Sequence, residues 1–220
     1  MSLRSLLLDL FFPPKCPICG QPGPADTPCP RCRQADFWLP PEQAVFPGRD
    51  FRCCVCAGWY RDDLRASLLR YKFSGRRGYA KAYGPLLAEA IRPHLTGRYD
   101  LISWVPVSRQ TLKKRGYDQA QLLAQETARA LGTTAVPLLV KQVNNRPQSS
   151  LTDGRQRQDN VAGVYAPAPT ADRAAGRRVL LIDDVLTTGA TLNEAARTLR
   201  QAGAAEVVAA ALCRTPSHHP

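Results

Sequence analysis

The residues with the clearest potential for chemistry lie together at positions 178–192, which read RVLLIDDVLTTGATL. Two adjacent carboxylates, Asp183 and Asp184, follow a short apolar run, and a loop of small and hydroxylic residues comes next. Carboxylates accept hydrogen bonds from vicinal hydroxyl groups or hold a cation, whereas the amides of a Thr/Gly loop at a helix N-terminus suit phosphate. A ribose that carries a 5-phosphate satisfies all of these groups together.

Hydrophobic patterning predicts the elements that position this stretch. Residues 179–182 are all apolar and lack polar alternation, which indicates a strand buried on both faces of a parallel sheet. Residues 192–199 have the amphipathic spacing of a helix. The sequence contains no G-x-x-x-x-G-K-[ST] motif, so the phosphate site is not a P-loop.

This stretch closely resembles the signature of type I phosphoribosyltransferases, which bind phosphoribosyl pyrophosphate (PRPP). Together with the motifs below, it resembles the ComF family, the ComFC/GntX-like proteins linked to competence. The resemblance implies that Asp183 and Asp184 hold the ribose hydroxyls and Mg²⁺, directly or through water, and that residues 187–191 hold the 5-phosphate. The residues expected to contact PRPP in this stretch are Asp183, Asp184, Val185, Leu186, Thr187, Thr188, Gly189, Ala190 and Thr191.

A second segment carries the expected pyrophosphate contacts. Residues 100–107, DLISWVPV, predict another buried strand, and in type I phosphoribosyltransferases the loop after this strand cradles the pyrophosphate; the matching residues are Val107, Ser108 and Arg109. The following RGYDQA resembles the family's RGfNqa element, with an acid, Asp118, where an amide is usual. Arg115 precedes a predicted helix at residues 119–130, and its guanidinium suits phosphate oxygens; a salt bridge at the helix start is the alternative.

The long polar segment at positions 144–165 matches the family pattern R-x-x-Q-x-x-L…R…N-v-x-g. It follows a strand predicted at residues 136–140 and is longer than ordinary connections, which favours a functional loop. The resemblance implies a mobile hood that closes over PRPP and brings Arg146 or Arg155 to the leaving pyrophosphate. A flexible basic loop without that role is the alternative.

Near the N-terminus, two C-x-x-C pairs lie nine residues apart: Cys16 and Cys19, then Cys29 and Cys32. This spacing predicts four thiolates around one structural Zn²⁺, with no open position for catalysis. Two disulfides or four free thiols are the alternatives, and the absence of an export signal argues against disulfides. ComF-like proteins begin with such a module, so the resemblance agrees.

Four further cysteines and a basic stretch remain. Cys53, Cys54, Cys56 and Cys213 lie in apolar runs and are expected to be buried small hydrophobic residues, although one of the first three could instead join the metal site. The stretch YKFSGRRG follows a predicted helix and resembles the family's lKfsg element. Its basic residues face either a phosphate or solvent; they are Lys72, Arg76 and Arg77.

The order of elements after residue 50 alternates helix and buried strand. We therefore expect an α/β fold, a type I phosphoribosyltransferase-like parallel sheet flanked by helices at residues 49–220, preceded by an N-terminal helix, a zinc-knuckle module and a Pro-rich linker at residues 1–48. No apolar run approaches the ~20 residues of a membrane span, and no signal peptide is recognised, so the cytoplasm is the expected compartment.

The charge pattern leaves two functions open. The formal charge is +12, and residues 61–160 carry 18 Lys and Arg against 8 Asp and Glu. Such an excess suits a polyanionic substrate or a nucleic acid. One hypothesis is Mg²⁺-dependent transfer of phosphoribosyl from PRPP to an acceptor such as a nucleobase; the other is a non-catalytic adaptor in natural transformation that binds PRPP, single-stranded DNA or a competence-machinery protein. The sequence names neither the acceptor nor the oligomeric state.

Overall fold

The computed structural model describes residues 13–142 and 163–216. Its centre is a five-stranded sheet. The strands are β1 (Val45–Pro47), β2 (Cys53–Trp59), β3 (Leu101–Trp104), β6 (Arg178–Leu186) and β7 (Glu206–Arg214). They lie in the order β1–β2–β7–β6–β3, and all neighbouring strands are parallel except β1 and β2, which are antiparallel.

The helices follow the strands in the alternation that the sequence predicts. Helices α3 and α5 pack against each other and against the sheet, whereas α6 connects β6 to β7 and packs on both of these strands. None of the helices in the described ranges is long and apolar enough to cross a membrane. The helices are α1 (Pro30–Arg33), α2 (Asp62–Phe73), α3 (Ala80–Leu95), α4 (Arg109–Arg115), α5 (Gln119–Ala130) and α6 (Ala190–Gln201).

The core confirms the expected doubly covered strand. Val179 to Ile182 are all buried although successive side chains point to opposite faces, so both faces of β6 are covered. Helices α3 and α5 approach closely at Gly84, where an added Cβ would lie 2.4 Å from the Cβ of Glu126. This contact fixes the position of α5, which begins beside the candidate site.

The strand predicted at residues 136–140 is wrong in extent, and the strand that forms there lies outside the main sheet. Ala135 forms a single parallel bridge with Ile102 of β3, but the regular strand is β4 (Leu139–Lys141). It pairs antiparallel with β5 (Tyr165–Pro167) in a separate two-stranded sheet. Pro137 explains the break, because proline has no N–H to donate to a ladder.

Candidate functional site

The acidic pair lies where the sequence predicts it, near the carboxyl end of strand β6. Asp184 is buried and Asp183 is half-buried, and the backbone N–H of Asp184 donates a hydrogen bond of 2.8 Å to Oδ1 of Asp183. Burial, followed by the charge of Asp184, raises the pKa of Asp183 to about 8, while the charge of Lys72 opposes this rise. The pair therefore lies in an environment that disfavours two free negative charges.

Lys72 supplies the positive charge that faces this pair. Its Nζ lies 2.9 Å from Oδ1 of Asp184, with side-chain exposures of 19% and 6% respectively. The sequence left Lys72 open between phosphate and solvent, whereas the structure places it against a carboxylate. The other oxygen of Asp184, Oδ2, is buried and has no hydrogen-bond partner among the described residues.

The Thr/Gly loop follows directly and forms one wall of a cavity of about 390 Å³. Gly189 has φ of +79° and begins α6 in the left-handed conformation that favours glycine. Thr188 accepts a 3.4 Å hydrogen bond at Oγ1 from the N–H of Ala190. Of the nine predicted contact residues in this stretch, Leu186, Thr187, Thr188 and Gly189 line the cavity. The other five lie outside its wall; they are Asp183, Asp184, Val185, Ala190 and Thr191.

Sequence reasoning missed the opposite wall of this cavity, which includes Gly48, Arg49 and Arg214. Asn193 of α6 holds that wall in place, since its Oδ1 accepts hydrogen bonds from the backbone N–H groups of Arg49 (3.0 Å) and Asp50 (2.9 Å). These contacts join residues more than 140 positions apart, so local pattern carries no signal of them. The cavity is therefore rimmed by hydroxyls, backbone and two guanidinium groups, which suits a phosphate.

The predicted pyrophosphate loop lies after β3. Ser108 is the N-cap of α4 and accepts a 3.2 Å hydrogen bond from the N–H of Thr111, and Arg109 is exposed at the start of that helix. Val107 donates its N–H to Oδ2 of Asp118 at 2.9 Å. Asp118 also caps α5 through Oδ1, so this one carboxylate links the loop to the helix.

Arg115 ends α4 and reaches toward the start of α5. Its guanidinium donates to the side-chain oxygen of Gln119 and lies over the ring of Phe73, 5.3 Å from the ring centroid. The hydrogen bond goes to an amide oxygen, so the alternative of a helix-start salt bridge is not what the structure forms. Phe73 itself is 71% exposed, so this aromatic residue is largely open to solvent although a guanidinium lies over its ring.

The small sheet contributes two further groups. The Nζ of Lys141 in β4 lies 5.5 Å from the ring centroid of Tyr165 in β5. Burial lowers the pKa of Lys141, and the charge of Asp183 opposes that change. The predicted catalytic arginines, Arg146 and Arg155, lie outside the described residues.

The four N-terminal cysteines form one cluster, as their spacing predicts. All four Sγ atoms lie within 4.8 Å of one another, and those of Cys19 and Cys29 are 3.8 Å apart. Zn–S bonds of about 2.3 Å place tetrahedral sulfur atoms about 3.8 Å apart, so the cluster could hold zinc. Burial opposes ionisation of Cys19, but hydrogen bonds from the Gln21 backbone, Arg31 and neighbouring thiols lower its pKa to about 6, which favours the metal-binding thiolate.

The other cysteines lie apart from this cluster, in strands of the main sheet. Cys54, Cys56 and Cys213 are buried and Cys53 is half-buried, close to the expected role of small hydrophobic residues. Within the described part of the chain, the metal-binding group contains none of them.

Comparison with known proteins agrees with this geometry. Residues 118–219 match the family model described as "Phosphoribosyl transferase domain". Competence protein F of Haemophilus influenzae is 31% identical over 164 residues, which cover 73% of this chain and 72% of the relative. Competence protein ComFC of Bacillus subtilis is 28% identical, with 88% and 74% covered, and DNA utilization protein YhgH of Escherichia coli K12 is 30% identical, with 91% and 84% covered.

Among solved structures, a glutamine PRPP amidotransferase from B. subtilis aligns with a TM-score of 0.39 and 23% identity, over 58% of this chain and 25% of that chain. The sequence relatives are the stronger result, because two of them reach 30% identity while the chain covers more than two thirds of their length. The expected fold class is confirmed by the parallel sheet, its flanking helices and the cysteine cluster. The chain therefore belongs to the ComF family and contains a phosphoribosyltransferase-type domain.

Proposed function

We propose that this protein binds PRPP with Mg²⁺ and transfers its phosphoribosyl group to an acceptor such as a nucleobase, whose identity no described residue specifies. The observation that carries the proposal is the order of groups along β6 and α6: an acidic pair, a Thr/Gly loop and a cavity of about 390 Å³ with basic residues in its far wall. A phosphorylated sugar has hydroxyls and a phosphate in that same order. No other feature of the described residues combines these groups.

In this proposal each group has a separate task. Asp183 accepts hydrogen bonds from the ribose hydroxyls, the Thr187–Gly189 loop holds the 5-phosphate, and the loop after β3 faces the pyrophosphate. The acceptor's lone pair forms a bond to C1 of the ribose while the C1–O bond to pyrophosphate breaks. Pyrophosphate leaves with that electron pair, and the acceptor releases its proton. Rate enhancement then comes from positioning and from positive charge near the leaving group.

The side chains present fit Mg²⁺ at the acidic pair and Zn²⁺ at the cysteine cluster. Hard carboxylate oxygens suit Mg²⁺, and Asp183 with the unpartnered Oδ2 of Asp184 would hold it, directly or through water. Bound Mg²⁺ neutralises charge on the phosphates. The four thiols suit a structural Zn²⁺. A role for Arg146 and Arg155 at the leaving group remains part of the proposal, as do the domain division at residue 48 and a cytoplasmic location.

The first test is calorimetric titration of Mg²⁺–PRPP into the wild type, into Asp183→Asn and into Asp172→Asn. Asp172 is an exposed carboxylate in a surface turn and serves as the matched control. We expect binding by the wild type and the control, and a loss of about tenfold or more in Asp183→Asn, which cannot ionise when the metal and the ribose hydroxyls bind. Absence of binding by a folded, metal-loaded wild type would refute the proposal. If binding occurs, release of pyrophosphate with candidate bases identifies the acceptor.

A second function, single-stranded nucleic-acid binding, is favoured by one specific observation. Phe73 exposes 71% of its surface, whereas the sequence suggests that aromatic residues are mostly in apolar runs. A guanidinium lies over its ring, and basic side chains exposed to solvent flank it in the chain and in α4. An exposed ring within a basic surface is the arrangement on which bases stack. These basic residues are Arg76, Arg77, Lys113 and Lys114. The names of the relatives, competence protein and DNA utilization protein, agree with this role.

Fluorescence anisotropy with a labelled oligo(dT) tests this second function. Phe73→Ala should weaken binding, and Phe73→Leu, which keeps an apolar side chain without an aromatic face, should weaken it nearly as much, because stacking contributes about 1–3 kcal/mol per base. Lys113→Gln should instead make the dependence of DNA affinity on salt concentration less steep, by the amount expected for the loss of about one phosphate contact. Equal affinities of all variants would exclude this surface.

A further inference from the structure

The contact between Lys72 and Asp184 is unlike the other ion pairs of the described chain. Both side chains are largely removed from water, whereas each of the other pairs has at least one partner that is more than 40% exposed. An ion pair withdrawn from solvent is screened weakly and loses hydration at both ends. Removal of one partner therefore leaves the other charge uncompensated.

The surroundings contain more carboxyl groups than ammonium groups. Asp118, Asp183 and Asp184 influence one another: burial raises the pKa of Asp118 and of Asp183, and the charge of Asp184 adds to each shift. Lys72 contacts Asp184 directly, and the charge of Asp183 also acts on Lys141 of the small sheet. A polyanionic ligand cannot approach three carboxylates unless positive charge is present in the site.

We propose that Lys72 is a built-in counter-cation of this site. Its ammonium neutralises Asp184 and fixes one of its oxygens, which leaves the other oxygen and Asp183 for the ligand's hydroxyl groups and the Mg²⁺ bound with it. Lys72 is thus a positioning residue, and its charge lowers the affinity of the acidic pair for a free divalent cation. This inference rests on the proposed function for the identity of the ligand, and it adds a residue whose role the motif itself does not contain.

Two features support a role in the site over a purely structural one. Lys72 lies in the last turn of α2, where the helix already holds its backbone. Its ammonium is therefore not needed to cap the C-terminal end of that helix. The carboxylate that it contacts retains an unpartnered, buried oxygen. Buried oxygen atoms normally find a donor, so we assign this unpartnered oxygen, two residues before the Leu186 wall of the cavity, to a group that the bound ligand supplies.

The test is a double-mutant cycle read by calorimetry with Mg²⁺–PRPP: wild type, Lys72→Met, Asp184→Asn and Lys72→Met/Asp184→Asn. Lys72→Met should bind about tenfold more weakly or worse, because a buried carboxylate loses its partner. Asp184→Asn should weaken binding when Lys72 is present and strengthen it when Met is at position 72, since the second change restores charge balance and keeps an acceptor oxygen. Lys81→Met, at an exposed lysine of α3, is the control and should bind like the wild type.

A second readout does not need PRPP. Electron paramagnetic resonance with Mn²⁺ alone should show that Lys72→Met binds the ion about tenfold or more tightly than the wild type, because the acidic pair has lost its counter-ion. If the wild type binds no PRPP, the proposed function fails and this measurement alone decides the role of Lys72. Unchanged Mn²⁺ affinity in Lys72→Met would overturn the counter-cation role. The role would also be overturned if the double variant bound Mg²⁺–PRPP no more tightly than Lys72→Met, because the lysine would then contact the ligand itself. Circular dichroism confirms that each variant is folded.

Discussion

Arg70 donates a hydrogen bond of 2.5 Å from Nη2 to the backbone carbonyl of Ile18, inside the first cysteine knuckle. One turn earlier on the same helix, the hydroxyl of Ser67 donates to the carbonyl of Pro17. Helix α2 is therefore attached to the cysteine module through two backbone carbonyls, and Lys72 follows Arg70 by two residues. The cysteine cluster and the candidate site share one helix, so loss of the proposed zinc should alter the site.

The first prediction concerns the cysteine cluster. Cys29→Ser should release the metal and lower the free energy of unfolding by about 4 kcal/mol or more, because metal loss is among the strongest single-site effects. It should also weaken binding of Mg²⁺–PRPP, since the knuckle carbonyls no longer fix α2. Zinc content and urea denaturation measure the two effects. Cys53→Ser, outside the cluster, is the control and should keep one zinc per chain; equal zinc content in both variants would contradict the assignment.

The second prediction concerns the close contact of α3 and α5. Gly84→Ala should destabilise the protein by about 1–3 kcal/mol, because the new Cβ would lie 2.4 Å from the Cβ and 2.5 Å from the carbonyl carbon of Glu126. Helix propensity alone predicts the reverse, a gain of about 1 kcal/mol. Gly78→Ala, where an added Cβ meets nothing within 4 Å, should change stability little. Chemical denaturation of both variants decides which effect is larger.

The sequence was sufficient where a signal is local. The apolar run at Val179–Ile182 and the adjacent Thr/Gly loop predict β6 and the start of α6, because buried strands and phosphate loops are encoded by consecutive residues. Helix α5 has the predicted bounds, Gln119–Ala130. Four thiols at knuckle spacing likewise predict a cluster that the structure forms.

The sequence was insufficient where two distant segments meet. The partner of Lys72 could not be predicted, because the ion pair depends on the path of α2 past the end of β6. The hydrogen bonds of Asn193 could not be predicted for the same reason, since they join α6 to the distant loop at residues 49 and 50. The strand after residue 136 was misjudged because five mostly apolar residues outweighed one proline, although that proline decides the pairing.

The third prediction concerns Asp118, which caps α5 and holds the N–H of Val107. Asp118→Ala should cost about 2 kcal/mol, because it removes the cap and leaves the Val107 amide without its acceptor. Asp118→Asn should cost less than Asp118→Ala, because asparagine caps a helix equally well. It should still cost some stability, because only one of the two side-chain groups of asparagine can accept a hydrogen bond, whereas both oxygens of Asp118 do. The family's usual amide at this position is consistent with that expectation. Equal loss in the two variants, measured by urea denaturation, would show that the cap contributes nothing.

The fourth prediction concerns how the stability of the wild type and of Asp118→Asn depends on pH. Burial raises the pKa of Asp118 in the folded state, so the folded protein holds this proton more tightly than the unfolded chain does. The number of bound protons is then greater in the folded state, and the contribution of Asp118 to stability increases as the pH falls. The free energy of unfolding of the wild type, relative to Asp118→Asn, should therefore rise between neutral pH and the ordinary carboxyl range. A difference that falls with decreasing pH would mean that the carboxylate is stabilised by its hydrogen bonds more than it is destabilised by burial.

The last prediction separates the scaffold of the phosphate cavity from its charge. Asn193→Ala removes the oxygen that accepts from the N–H groups of Arg49 and Asp50, so it should lower stability by about 1 kcal/mol and weaken binding of ribose 5-phosphate. Asn193→Asp keeps that oxygen and should preserve stability, yet its negative charge beside the cavity should weaken phosphate binding as much or more. Urea denaturation and calorimetric titration measure the two properties separately. If Asn193→Asp binds as tightly as the wild type, the cavity does not hold a phosphate, and the Thr187–Gly189 loop would need another ligand.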